Sequence, residues 1–179
     1  MRQPSSVSFL VGVATLVLSV ACAPFGGGGK AAEGPPVAVE TFTVASANHT
    51  AGAVTYAQTP PVGGDHAPQW FNCGYYGVPV ITEAAVHSME HGAVWITYSP
   101  DLARDQVEIL RRLGQSQRYV LVSPYPGLTS PVVASAWGKQ ARMRSASDPA
   151  LDQFVRQFAA GPQTPEPGAP CSGGIGTPQ

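Results

Sequence analysis

The chain has 179 residues, of which 44% are apolar and 12% charged, with 20 Gly, 18 Pro and a formal net charge of -1. That length sets a prior of one domain, and the apolar content suffices for one core. Near-neutral charge lacks the clustered Lys and Arg that phosphate backbones require, so nucleic acid is excluded as a partner.

The N-terminus reads as an address. Met1 and Arg2 give a short positive start, and Phe9 to Val20 form an apolar run with the length of a signal-peptide core, too short to span a bilayer. The run ends in Leu18-Ser19-Val20-Ala21-Cys22, similar to a bacterial lipobox apart from Ser19, where a branched apolar residue is usual. Residues 1–21 are therefore expected to be a signal peptide of lipoprotein type. Cys22 would be lipidated and would anchor the chain to the membrane on the extracytoplasmic face. Plain secretion without Cys22, or an uncleaved anchor, fits the same run. Residues 22–36, with Gly26 to Gly29, read as a flexible tether.

With Cys22 assigned to lipid, Cys73 and Cys171 remain as a pair, and in an exported chain a disulfide is the default. Closing so long a loop is worth up to about 4.5 kcal/mol in the chain-entropy model. The bond would pin a Pro/Gly-rich tail, residues 161–179, onto a domain of residues 37–160.

Within that domain, Val37 to Val44 and Ala53 to Ala57 have the pattern of short strands. Thr59 to Pro79 carries too many prolines and glycines for a regular element of useful length and is expected to be a long loop. Thr82 is placed to cap a helix over Glu83 to Glu90 that Gly92 ends, and Ala93 to Tyr98 is a strand with Trp95 facing away from Val94, Ile96 and Tyr98. Ser99-Pro100-Asp101 starts a second helix, with Leu102, Gln106, Ile109, Leu110 and Leu113 at helical spacing up to Gly114. Tyr119 to Ser123 is a strand, and Pro131 to Met143 is one or two strands broken near Gly138. Asp148-Pro149 opens the last helix, whose buried stripe is Leu151, Phe154, Val155 and Phe158. Strands and helices mix without regular alternation. The expected fold is α+β, one mostly antiparallel or mixed sheet covered by two main helices.

The chemistry lies in one window. All four histidines, His49, His66, His87 and His91, fall between residues 49 and 91. In His87-Ser88-Met89-Glu90-His91 a helix would put His87, Glu90 and His91 on one side and Met89 away, whereas an extended chain would align His87, Met89 and His91. Two imidazoles with a carboxylate suit zinc, and two imidazoles with a thioether suit copper. His66 sits in a glycine-bearing loop, Pro60-Pro61-Val62-Gly63-Gly64-Asp65-His66, that can bend close to such a site. The leading expectation is a metal-binding domain using His66, His87 and His91, with His49 or Met89 as additions, and copper slightly ahead of zinc. The first alternative is a scaffold or partner-binding domain whose histidines only hydrogen-bond, its protein partner unidentified. The second is a small zinc hydrolase. His87-x-x-Glu90-His91 fits a protease helix motif in which Glu90 would activate water, a third ligand coming from Glu108 or Glu166. Glu166 lies among prolines, a poor place for a helix-borne ligand.

Aromatic residues Trp70, Phe71, Tyr75 and Tyr76 flank Cys73 and read as anchors of the loop rather than as a binding wall. Arg111, Arg112 and Arg118 suit the end of a helix and a solvated face better than a lipid-headgroup site.

The ordered series Val54-Thr55-Tyr56, Pro60-Pro61-Val62-Gly63-Gly64-Asp65-His66, Gly74-Tyr75-Tyr76 and Val86-His87-Ser88-Met89-Glu90-His91-Gly92-Ala93-Val94-Trp95-Ile96-Thr97-Tyr98 resembles the bacterial family called domain of unknown function 3105. The resemblance runs from about His49 to Phe158. It implies a signal or membrane anchor ahead of an extracytoplasmic domain, and it brings no established activity. Gly63 stands where serine is common in the family, and Met89 where leucine is frequent. A leucine there would leave a general family site with imidazoles and Glu90 alone.

Overall fold

The computed structural model describes Met1 and residues 37–179, and the fold is that of the compact unit spanning Glu33–Gln179. The expected signal peptide, Cys22 and the expected tether lie outside the described residues, Met1 apart. In chain order the elements are β1 (Glu40–Thr41), β2 (Gly74–Tyr75), α1 (Thr82–Glu90), β3 (Val94–Tyr98), α2 (Arg104–Ser116), β4 (Val120–Pro124), β5 (Val132–Ala136), β6 (Lys139–Met143) and α3 (Pro149–Phe158). Together they make one mixed, open sheet of six strands in the order β1-β6-β5-β3-β4-β2, so the fold is α+β. Among the described residues no helix is long and apolar enough to cross a membrane.

β3 is the centre. All five of its residues are buried, and it pairs parallel to β4 through Val94↔Val120 and antiparallel to β5 through Tyr98↔Val132. A parallel neighbour needs a crossover, which α2 provides between β3 and β4. β5 and β6 form a hairpin around Trp137-Gly138, where Gly138 takes a φ of 67°.

The strand alternation divides the core. Val94, Ile96 and Tyr98 join Leu110 of α2 and Leu151, Phe154 and Phe158 of α3 on one face. On the other, Trp95 and Leu121 pack against Ala84, Ala85, Val86 and Met89 of α1, with Phe71, Tyr76 and Trp137. The two main helices therefore cover one face, while α1 and the long loop cover the second. Phe71, Tyr75 and Tyr76 serve as loop anchors buried in these two cores. Arg111 forks onto Glu108 at 2.8 and 2.9 Å, one turn away on α2.

Several sequence expectations change in detail. The Val37 to Val44 strand shrinks to Glu40–Thr41, and Ala53 to Ala57 forms no strand because no sheet edge reaches it. Instead the Val54 N–H donates to Glu83 Oε1 at 3.1 Å. The long loop contains β2, which adds a short parallel edge to β4. Thr82 is the first residue of α1 rather than its cap; the cap position falls on Ile81, with no side-chain bond. Ser99 closes a separate turn, its carbonyl accepting from the Leu102 N–H at 2.9 Å, and α2 starts only at Arg104. Gly114 lies inside α2, where a Cβ would come within 3.0 Å of Val122 Cγ2 and 3.2 Å of the Tyr75 nitrogen. It marks close helix-on-sheet packing rather than a helix end. The Asp148 cap and the stripe of α3 are as expected, with Asp148 Oδ1 accepting from the Ala150 N–H at 2.9 Å.

The end of α1 is locked by one glycine. Gly92 has φ 106°; its N–H donates to Met89 O and that of Ala93 to Ser88 O, at 3.0 and 2.8 Å. This is the paired-bond stop in which a left-handed residue follows the helix. A Cβ at Gly92 would also lie 2.8 Å from Ala160 Cα, just past α3, whose N–H donates to Gly92 O at 2.8 Å. Gly92→Ala is expected to cost about 2–5 kcal/mol, from backbone strain plus overpacking. Gly127→Ala, at φ 81° with nothing within 4 Å, should carry the strain alone, about 1–2 kcal/mol. Equal shifts of the two denaturation midpoints would contradict overpacking at Gly92.

Candidate metal centre

α1 presents two faces because its residues repeat every 3.6 positions. Ala85 and Met89 go into the core with Trp95, while His87, Glu90 and His91 look toward the loops. The helical geometry of the His87 to His91 stretch thus holds. Met89 is fully buried among apolar side chains, so its thioether belongs to the core rather than to the histidine cluster.

Two loops bring the other histidines. A parallel bridge pairs His49 with His66: the Thr50 N–H donates to His66 O at 2.7 Å and the His66 N–H to Asn48 O at 3.0 Å. Asp65 fastens the same junction, its Oδ1 accepting from Ser46 Oγ at 2.6 Å and the Asn48 N–H at 3.0 Å. These two bonds hold its carboxyl below the usual range. Tyr56 O–H donates to Asp65 O at 2.8 Å. Burial, then the neighbouring Glu83 and Asp65 carboxylates, push that phenol well above its ordinary pKa, so it stays a donor. The loop after His66 is stitched to α1 by the Phe71 N–H on Ala84 O at 3.1 Å and by Ser88 Oγ donating to Phe71 O at 2.7 Å.

The result is a convergence around one carboxylate. Glu90 Oε2 lies 2.9 Å from His66 Nε2, 3.8 Å from His49 Nε2 and 3.9 Å from His87 Nε2. One ligand atom from each of His49, His66, His87 and Glu90 falls within 4.8 Å of the others, a group able to hold a metal ion. His66, His87 and Glu90 are buried, and His49 is half exposed, with 52% of its side chain open. His49 stacks on His87 with ring centroids 4.8 Å apart.

Tautomers follow from the backbone. His66 Nδ1–H donates to Gly64 O at 2.8 Å, His87 Nδ1–H to Ala67 O at 2.7 Å and His91 Nδ1–H to Pro170 O at 2.6 Å. A histidine whose Nδ1 carries the proton offers the Nε2 lone pair, the usual arrangement of a metal-ligating imidazole held by a carbonyl. Burial pushes the His87 pKa down, and the His91 and His66 rings push it further, against the Ala67 carbonyl and Glu90. Its neutral, ligating form is thereby favoured.

His91 sits at the margin. Its Nε2 is 3.0 Å from His87 Nε2 and 3.5 Å from Glu166 Oε2, and it lies outside the four-residue group. Trp70 leans over it with ring centroids 4.9 Å apart. The Trp70 indole N–H is buried and, among the described residues, makes no hydrogen bond. Cys73 and Cys171 are joined by a disulfide with Cα atoms 5.4 Å apart, which fixes the tail beside Pro170.

Glu166, one of two glutamates the sequence offered as a third ligand and a poor one for its place among prolines, does approach His91, because the tail reaches the end of α1 as a loop and needs no helix to do so. Sequence reasoning did not signal the carbonyls of Gly64, Ala67 and Pro170.

A family model described as "Protein of unknown function (DUF3105)" matches residues 48–173, and the chain belongs to that family. No curated protein and no solved structure matches it.

Met89→Leu is expected to cost less than about 1.5 kcal/mol, as a volume-conserving core exchange, and to bind any metal ion as the unaltered chain does. A loss of uptake measured by elemental analysis would place the thioether in the site. Long-range proton–nitrogen spectra of the metal-free protein should show Nδ1-protonated rings for His66, His87 and His91. A bare Nδ1 at His87 would contradict its bond to the Ala67 carbonyl.

Proposed function

We propose that this member of the DUF3105 family holds one divalent transition-metal ion, Cu2+ or Zn2+, at the outer face of the cell envelope. The ligands are Nε2 of His49, His66 and His87 and a carboxylate oxygen of Glu90. The observation that carries the reading is the buried carboxylate with three imidazole nitrogens aimed at it. A buried carboxylate needs a compensating positive charge, and among the described residues neither Lys nor Arg pairs with Glu90. A divalent ion supplies that charge and engages the Nε2 atoms of His49, His66 and His87 at once.

The donor set is three nitrogens and one oxygen, with neither thiolate nor thioether. Borderline ligands of this kind suit Cu2+ and Zn2+ and give Cu+ no advantage, and the divalent affinity order puts Cu2+ first. The half-exposed His49 leaves a route from solvent to the ion.

Hydrolysis is less well supported, because Glu90 lies 2.9 Å from His66 Nε2, in the place of a ligand rather than apart as a general base. A purely structural role for the histidines accounts for the three carbonyl bonds. It gives no reason for three Nε2 atoms, on His49, His66 and His87, to gather within 3.9 Å of one buried carboxylate oxygen.

Export rests on the signal-like run and the Cys22 lipobox, and the Cys73–Cys171 bond suits an oxidising compartment. Cys22→Ala is expected to move the protein out of the membrane fraction; retention there would argue for an uncleaved anchor.

Calorimetric titration of the metal-free domain should give one site with Kd below about 10 μM for Cu2+ or Zn2+. At 100 times Kd, ligand linkage adds about 2.7 kcal/mol of stability, which a thermal melt with and without chelator reads directly. Glu90→Gln should weaken binding by at least about 10-fold, one lost charge-assisted ligand. Absence of binding by both ions overturns the reading.

A further inference from the structure

A second set of donors adjoins the first through His87. His91 gives its Nδ1–H to Pro170 O and His87 its Nδ1–H to Ala67 O, so in the neutral form of each ring Nε2 carries a lone pair. These lone pairs face each other across 3.0 Å, a separation at which two bare nitrogens repel unless a proton or a cation lies between them. Glu166 Oε2 stands 3.5 Å from His91 Nε2, close enough for one ion with bonds near 2 Å to touch both.

The C-terminal tail builds this arrangement. The Glu166 N–H donates to Glu90 O at 3.1 Å, the Thr164 hydroxyl donates to the same carbonyl, and Tyr119 O–H donates to Gly168 O at 2.9 Å. The disulfide follows Pro170 directly. Glu166 keeps 58% of its side chain exposed, whereas His91 keeps 5%. The set therefore runs from a solvent-facing carboxylate to a buried ring in contact with a ligand of the inner group.

We infer that His87, His91 and Glu166 form an outer position for a Cu2+ or Zn2+ ion, alternating with the inner position through the shared His87 ring. This rests on the inner site of His49, His66, His87 and Glu90. His87 Nε2 has one lone pair, so it ligates one ion at a time and the two positions exclude each other. An ion that shifts between them keeps His87 as a ligand throughout, and at the outer position it gains an exposed carboxylate that an acceptor can replace. The arrangement is that of a protein which takes up and passes on an ion.

The test is competitive titration of the mature, disulfide-bonded domain with Zn2+ and with Cu2+ against a chromophoric chelator. His49→Ala and His66→Ala each cripple the inner position and leave His87, His91 and Glu166. The His49 side chain is half exposed, so its variant keeps a measurable fold if the buried His66→Ala does not. The wild type is expected to bind one ion even in excess metal. Each inner variant should retain one weaker ion, and adding Glu166→Gln should weaken that residual binding by a further 10-fold or more. Residual binding indifferent to Glu166→Gln, no residual binding in either inner variant, or two ions bound together in the wild type overturns the inference while leaving the inner site standing. A wild type that takes no ion overturns both.

Discussion

Glu90 is a carboxylate placed where water scarcely reaches, and the arrangement of the loops around it follows from that fact. A buried negative charge is tolerated only with compensation, from an opposite charge or from well-aimed donors. Here three imidazoles surround it: carbonyls hold the His66 and His87 rings by Nδ1 and turn Nε2 toward the carboxylate, where a donor proton, as in the 2.9 Å bond to His66 Nε2, or a cation can balance the charge. Remove the carboxylate and the three rings have no shared target. Remove the carbonyls and the rings lose their orientation.

The second core explains why this cluster is held firmly. α1 is short, and its sequence is only weakly amphipathic because its outer face is itself buried beneath loops. Its inner face packs Ala84, Ala85 and Met89 against Trp95 and Leu121 of the sheet. Its end is closed by Gly92 against the residues just past α3. The tail adds a third restraint, with residues 164–170 bonded to the last carbonyls of α1 and to His91. Helix, loop and tail therefore converge at one end of α1. The disulfide joins the loop to the tail, so it braces two of the three parts that supply donors.

Much of the architecture was legible. The strand alternation of Val94 to Tyr98, the Asp148-Pro149 start of α3 and the Gly92 stop are local signals, set by side-chain period and by backbone freedom. The expected strand at Ala53 to Ala57 had the right pattern but no neighbouring edge, and a strand exists only by pairing. Gly114 looked like a terminus because glycine often ends helices; contact with β2 and β4 gave it a different role. Thr82 and Ser99 have the chemistry of caps, and neither caps a helix: Thr82 is already inside α1, and Ser99 closes a turn of its own before α2 begins.

What the amino-acid sequence determined by itself is the relation of His87, Glu90 and His91. Once the stretch is helical, three- and four-residue spacings place them on one side and send Met89 to the other. Tertiary structure alone decided that His49 and His66 meet there, that Glu166 reaches His91 from a Pro-rich tail, and that carbonyls from distant loops choose the tautomers. The physical reason is range. Helical geometry converts short separations into fixed positions, whereas the meeting of segments tens of residues apart depends on bridges, packing and a cross-link that no spacing records.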